Sequence, residues 1–224
     1  MNTLPTIPHR RLQTRFNFFR YAILFVAALP SFSVHAAGDF TKIANNGTEL
    51  AANAKLGNGA TDWACTRDNA TGLVWEVKTA DGGLRDHKHT YAWFNTDPDI
   101  VGGSAGFYGT DTCGGTLAAY KNRCNTASYV AAVNAAALCG HTDWRMPRPE
   151  ELRPLVDFGP SGEQAAIDPA WFPNPPGPFY WTDRALVGIY LDTWYVNALD
   201  GKRQCGNSGK EAAYSVRLVR VGKK

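Results

Sequence analysis

The chain has 224 residues and a formal net charge of +3, but four of its 23 basic residues and none of its 20 acidic ones lie in the first 36 positions. Without that leader the balance is 19 basic to 20 acidic residues, and no basic stripe is left to meet phosphate groups, which excludes a nucleic-acid partner. The remaining 188 residues are a length for one domain with a sizeable core.

The leader itself has the pattern of an export signal. Arg10, Arg11, Arg15 and Arg20 form a basic region, "YAILFVAALPSFSV" is the apolar run, and Val34 and Ala36 supply the small residues that precede cleavage. Residues 1–36 are therefore expected to be a signal peptide. The run reaches about nine unbroken apolar residues before Pro30, short of the ~20 needed to span a bilayer, so no stable membrane insertion is expected after cleavage. No Cys stands at the cleavage point, which argues against a lipoprotein. The expected location is periplasmic or secreted, at the cell surface.

Five cysteines follow: Cys65, Cys113, Cys124, Cys139 and Cys205. In an oxidising compartment they read as disulfides with one thiol left over, and none forms a C-x-x-C pair. Cys113 and Cys124 close the short loop "CGGTLAAYKNRC". Of the others, Cys65 with Cys139 is the expected pair and leaves Cys205 free, although a bridge to Cys205 fits the spacing too.

In chain order, residues 37–59 are rich in Ala, Asn and Gly and read as an irregular lead-in or edge segment. "DWACTRDNATGLVWEVK" reads as a β-hairpin, with alternation through Leu73, Trp75 and Val77 and with Gly72 free to take positive φ in the turn. Asn69-Ala70-Thr71 matches a glycosylation acceptor, but a turn is the favoured reading. From 79 to 124 runs a long polar stretch in which only "HTYAWFN" has strand or helix character. Such a loop is expected to be functional or stapled. "NTASYVAAVNAAALCG" is the clearest helix, with Asn125 or Thr126 as N-cap, Gly140 at its end, and Tyr129, Val130, Val133 and Ala137 on one buried face.

"GHTDWRMPRPEELRPLVD" carries two adjacent acids. Pro149 suits a first helical position, and Glu150 and Glu151 then favour the positive end of the helix dipole. Neighbours on a helix point about 100° apart, so these two do not converge on one substrate atom, and a scaffold is the expected role. Pro154 cuts this helix short. Residues 158–178 read as an irregular loop anchored by Trp171 and Phe172. Three strands close the chain: 179–183, 191–199 and 214–221. In the second, Thr193, Tyr195 and Asn197 oppose Trp194 and Val196. In the third, Val216, Leu218 and Arg220 oppose Arg217 and Val219.

"DNATGLVWE", "SYVAAVNAAALCGHTDWRMPRPEELRPLVD", "YWTD", "TWYVNALDG" and "YSVRLVR", in that order, resemble the Lcl C-terminal domain family, the terminal domain of the Legionella collagen-like adhesin. The resemblance covers residues 60–222 and implies a C-type-lectin-like α+β fold: a small mixed or antiparallel sheet with flanking helices and long irregular loops. In it Trp144, Arg145 and Pro147 match the structural W-R-x-P element. Arg148 departs from the family's usual Ser or Thr after the motif proline, Pro154 is unusual, and no Gly-X-Y repeat precedes the domain.

The function implied is that of an exported bacterial binding module, not an enzyme, for carbohydrate or another cell-surface ligand such as a protein. The expected contacts are Asp183, Arg184, Tyr190, Asp192, Trp194, Lys202, Arg203 and Asn207, in the late loops and middle strand, because loops on a rigid scaffold carry sites. No cofactor and no metal are expected. "DPDIVG" starts like a calcium loop, but Val101 and Tyr108 stand where its fifth and twelfth ligands belong, so binding is expected to be calcium-independent. A second reading is an enzyme resembling the formylglycine-generating proteins, with Cys205 activated by Lys202, Arg203 and Lys210. His87 and His89, two apart, lack an identifiable third metal ligand and read as solvated loop residues. A third reading is a structural or partner-binding role in the envelope.

Overall fold

The computed structural model describes residues 39–157, 166–186, 192–197 and 205–222. Its largest sheet grows from the hairpin of β3 (Trp63–Asp68) and β4 (Leu73–Glu76). Asp68 closes the turn: its carboxylate accepts from the Ala70 and Thr71 amides and the Thr71 hydroxyl, and Gly72 takes φ 75° beneath it. Asn69 is held here by side-chain bonds to Asp39 and Thr41 at 2.8 and 3.0 Å.

Of the two readings of the lead-in, irregular or edge segment, the structure has the edge. The lead-in supplies β1 (Phe40–Ala44) and β2 (Glu49–Leu50), and the antiparallel sheet runs β10-β4-β3-β1-β2, with β10 at Val219–Val221. Lys42 in β1 keeps its place by laying its ammonium 3.7 Å from the Trp63 ring centroid.

A sheet buried on both faces needs apolar side chains of both parities. Val74, Val216 and Leu218 enter one core cluster with Trp93, Tyr129, Trp144 and Trp181, whereas Trp75 and Val219 enter a second with Leu152, Phe172 and Tyr180. A smaller antiparallel sheet carries β7 (Phe179–Ala185), β8 (Asp192–Asn197) and β9 (Cys205–Gly209). Both Thr193 and Val196 of β8 are buried, so the expected division of that strand into two unlike sides gives way to cover on each. Residues 156–157 and 166–167 pair as β5 and β6, which puts a short ladder where an irregular loop was expected. Residues 158–165 of that segment lie outside the described residues.

The closing segment, expected as one strand, divides its pairing. The Ser215 amide and carbonyl bond to Phe179 and Trp181 of the smaller sheet, while Val219–Val221 pair with β4. One chain segment thus stitches the two sheets together, and no single ladder spans it. "HTYAWFN" likewise forms isolated bridges only, at Tyr91, Ala92 and Phe94.

Helix α1 (Thr126–Ala135) starts at Asn125, whose side chain accepts from the Ser128 amide at 2.9 Å. It buries Tyr129 and Val133 but leaves Ala137 exposed, because the helix stops earlier than expected. Ala137 takes φ 47°, and a 3-10 turn, Leu138–Gly140, follows. The reason is covalent: Cys139 is bonded to Cys65 on β3. The second bridge, Cys113–Cys124, staples the long polar stretch. α2 (Pro149–Leu152) is a single turn that passes into a 3-10 turn at Arg153–Leu155, where Pro154 removes a donor. Two short helices with antiparallel sheets make the fold α+β.

The Cys65–Cys139 bridge closes a loop of 74 residues across the first core. Replacing both cysteines by Ala is expected to lower unfolding free energy by about 2–5 kcal/mol. Urea denaturation with tryptophan fluorescence measures the loss, and an unchanged midpoint would show that packing alone holds this end of α1.

Candidate functional site

Three places gather chemistry-bearing side chains. The first is the Trp144–Pro147 corner. Trp144 bonds to Asn134 through its amide at 2.8 Å and to the Leu138 carbonyl through its indole at 2.9 Å. Arg145 and Val219 exchange backbone bonds at 3.0 Å, and the Arg145 guanidinium grips the Glu151 carboxylate with two bonds of 2.7 Å. Glu151, at the third helical position, also accepts from the amide of the N-cap residue Arg148 at 2.8 Å, which is the reach-back half of a capping box. Burial works to raise the Glu151 carboxyl, but Arg145 and the Arg148 amide outweigh it and hold the group below its usual range. Glu150 is exposed and points elsewhere, so the two acids share no site.

The second place is inside the first core. Glu76, wholly buried on β4, accepts from the Tyr129 hydroxyl, from Lys78 Nζ at 2.7 Å and from the Leu218 amide at 2.9 Å. Lys78 also donates to the Tyr129 hydroxyl at 2.8 Å, and Arg217 donates to the Glu76 carbonyl at 2.7 Å. These are acid, base and phenol within bonding reach. All four side chains are at most 2% exposed, so no substrate meets them, and the cluster is structural. Burial pushes Lys78 down and Tyr129 well up, while Lys78 and its fellow donors keep Glu76 ionised against its own burial.

The third place is a groove of about 340 Å³ lined by Phe107, Tyr108, Thr110, Thr112, Glu211 and Ala213, among others. Phe107 and Tyr108 are two of the three large apolar side chains left exposed among the described residues, at 39% and 56%. Glycines on either side hold the pair in place. A Cβ on Gly106 would lie 2.2 Å from the Trp93 carbonyl oxygen, and one on Gly109 would lie 2.2 Å from that of Cys124, both with φ in the left-handed region. The Phe107 amide bonds to the Trp93 carbonyl at 3.0 Å, and Asn125 donates to the Tyr108 carbonyl at 2.8 Å. Lys210, buried, ties down the approach to this loop by donating to the carbonyls of Val101 and Ser104 at 2.8 and 2.7 Å. Tyr108 packs against Phe94, with ring centroids 4.7 Å apart, and its ring lies 4.5 Å from the Arg123 guanidinium. Among the described residues no ring or cation packs on Phe107.

The family model of the Lcl C-terminal domain matches residues 64–220, well over half of the sequence. The chain belongs to the Lcl C-terminal domain family. No curated protein and no solved structure matches it. The match starts inside β3, yet the sheet of this Lcl C-terminal domain also takes in β1 and β2 from before it.

The residues first singled out for ligand contact fall on the smaller sheet of this Lcl C-terminal domain. Asp183 and Arg184 end β7, with Arg184 Nε 3.7 Å from Asp183 Oδ1, and Asp183 donates its amide to the Pro147 carbonyl at 2.8 Å. Asp192 opens β8, and Trp194 is half-buried and pairs through its backbone with Asn207 on β9. Tyr190, Lys202 and Arg203 lie outside the described residues, as do the side chains of Asn207 and Cys205. None of those whose side chains are described lines the groove. Lys210, considered above as a partner for the Cys205 thiol, is committed to the Val101 and Ser104 carbonyls. His89 is buried, not solvated, and burial lowers its pKa. His87 lies 3.1 Å from the Thr79 carbonyl through Nδ1. Among the described residues the one group with metal-ligand spacing is Asp111, Cys113 and Cys124, whose sulfurs are joined to each other, leaving a single carboxylate.

The groove went unread in the sequence because its walls come from segments about a hundred positions apart. The available signal was "GFYG": two adjacent aromatics between glycines in a polar loop, with no apolar alternation to bury them.

Two expectations follow from the buried groups. Tyr129→Phe removes the hydroxyl shared by Glu76 and Lys78, and should cost about 1–3 kcal/mol in chemical denaturation; a cost near zero would mean the network is slack. Asp183 is pushed up to about 6 from 3.8, because it is partly buried with its Oδ1 lacking a hydrogen-bond donor, and nearby Arg184, Arg148 and Arg145 offset that only in part. Between those pH values the folded protein holds a proton that the unfolded chain has released, so this contribution is complete below about pH 4 and lost as pH rises through 6. Asp183→Asn should therefore gain thermal stability relative to the parent between pH 4 and 7, and a pH-independent difference would refute the assignment.

Proposed function

We propose that this Lcl C-terminal domain is an exported, C-type-lectin-like binding module that takes a saccharide, without calcium, in the groove beside Phe107. One observation carries the reading. An uncovered aromatic ring stands in a concavity of about 340 Å³ beside unpartnered polar groups, the Thr110 hydroxyl and the Glu211 carboxylate. A sugar ring has an apolar C–H face and a polar rim. The face stacks on an aromatic ring, and the rim hydroxyls need acceptors and donors next to it.

Phe107 is the stacking ring, because Tyr108 is already engaged with Phe94 and Arg123 and offers its hydroxyl instead. Thr112 spends its own hydroxyl on the Thr90 carbonyl, which leaves Thr110 as the free threonine. Binding is favoured over hydrolysis because, among the described residues, Glu211 is the only carboxylate lining the groove, and glycoside cleavage draws on a facing pair. A lone carboxylate is also a poor start for calcium, which collects six to eight oxygens. Asp183, Arg184, Tyr190, Asp192, Trp194, Lys202, Arg203 and Asn207 are assigned as contacts outside the groove, for saccharide units beyond the one it holds, since β9 leads directly into the turn that carries Glu211.

A glycan array probed with the full chain, with and without chelator, tests this. The expected result is a discrete set of bound glycans, unaffected by chelator, with Phe107→Ala weakening each at least about tenfold while the melting temperature holds, since that ring is exposed. Uniform background across the array would remove the saccharide and leave a protein partner.

A further inference from the structure

We infer that the groove selects neutral or amine-bearing saccharides and rejects acidic ones, with Glu211 as the residue that decides. The inference rests on the saccharide reading above and adds the charge class of the ligand.

The groove has one formal charge among its lining side chains, and it is negative. Glu211 is exposed and makes no ion pair or side-chain hydrogen bond, so its carboxylate is available. Its turn is closed by the Ala212 amide on the Gly209 carbonyl at 3.0 Å, and the carboxylate lies over Gly209, where a Cβ would come within 2.4 Å of it. The cation next to it in sequence is withdrawn. Lys210 is buried, its ammonium donates to the Val101 and Ser104 carbonyls, and it lies 4.7 Å from the Trp93 ring centroid. The Arg123 guanidinium is engaged with the Tyr108 ring and does not line the groove.

The chemistry follows from what a carboxylate does. It accepts hydrogen bonds from two adjacent hydroxyls, or pairs with a protonated amine, while Phe107 holds the ring face. A uronate, sulfate or phosphate on the ring held in the groove brings like charge within a few ångströms, and among the described residues no cation lines the wall to offset it.

Calorimetric titration of the full chain with matched neutral, amino and uronate oligosaccharides of equal length tests this. Wild type should bind the neutral and amino forms at least about tenfold more tightly than the uronate. Glu211→Gln should bring the neutral-to-uronate ratio towards one, and Glu211→Lys should invert it. Equal or tighter uronate binding by wild type overturns the inference, as does a ratio that neither variant changes. These results leave saccharide binding itself standing, whereas no binding of any oligosaccharide overturns both readings. Circular dichroism checks that the variants fold; if one does not, the wild-type ratio decides alone.

Discussion

A single ionised carboxylate, sealed in the core, sets the terms for the rest of this molecule. Glu76 joins β4 to α1 through the Tyr129 hydroxyl, to its own strand through Lys78, and to the closing segment through the Leu218 amide. Burying such a charge is costly, and it persists because both carboxylate oxygens accept from donors, two of which, Tyr129 and Leu218, are held outside β4. The arrangement is demanding, since α1, β4 and the tail must all be in register before the carboxylate is satisfied. Arg85 repeats the device nearby, donating to the backbone carbonyls of Ala64 and Gly57 and to the Asn58 side chain. Buried polar chemistry here makes one arrangement of the chain much better than its near neighbours.

That rigidity is what allows the long polar stretch to carry a surface. With little regular structure of its own, it is fastened at intervals: the Trp93 indole to the Thr182 carbonyl, the Tyr91 carbonyl to the Trp181 indole, the Cys113–Cys124 bridge, and Lys210 under the 101–104 turn. Two of these run to adjacent residues of β7, one closes the stretch on itself, and one comes from the turn after β9. Between them Gly106 and Gly109 press the backbone against neighbouring carbonyls, and the residues between those glycines are left facing outward. An exposed aromatic pair on a loop pinned this way loses little freedom on meeting a ligand, which is the physical advantage of a preformed groove.

The Trp-Arg-Met-Pro corner has the opposite character. Its acids and bases are consumed by one another and by backbone, and Arg145 both pairs with Glu151 and extends the ladder at Val219. Asp183 is bonded to the same corner through its amide, so the part of the smaller sheet that first suggested ligand contact doubles as its brace.

Local chemistry was legible in the sequence wherever one segment determined its own shape: the β3–β4 hairpin from its Asp-Asn-Ala-Thr-Gly turn, the start of α1 from Asn125, the single turn of α2 from Pro149 and Pro154. It was illegible wherever a distant partner decided. The lead-in became strand because β3 offered it an edge, α1 stopped short because Cys139 had to reach Cys65, and the tail divided because two sheets each claimed part of it. The sequence by itself determined the family, the α+β class and the elements that shape themselves locally, the β3–β4 hairpin, α1 and α2, since these follow from periodicity, turn residues and matched motifs. Only the tertiary structure decided which charges are sealed and which stand free. Glu76 and Glu211 are the same side chain, and burial by residues far along the chain is what makes one a structural hub and the other a surface available to a ligand.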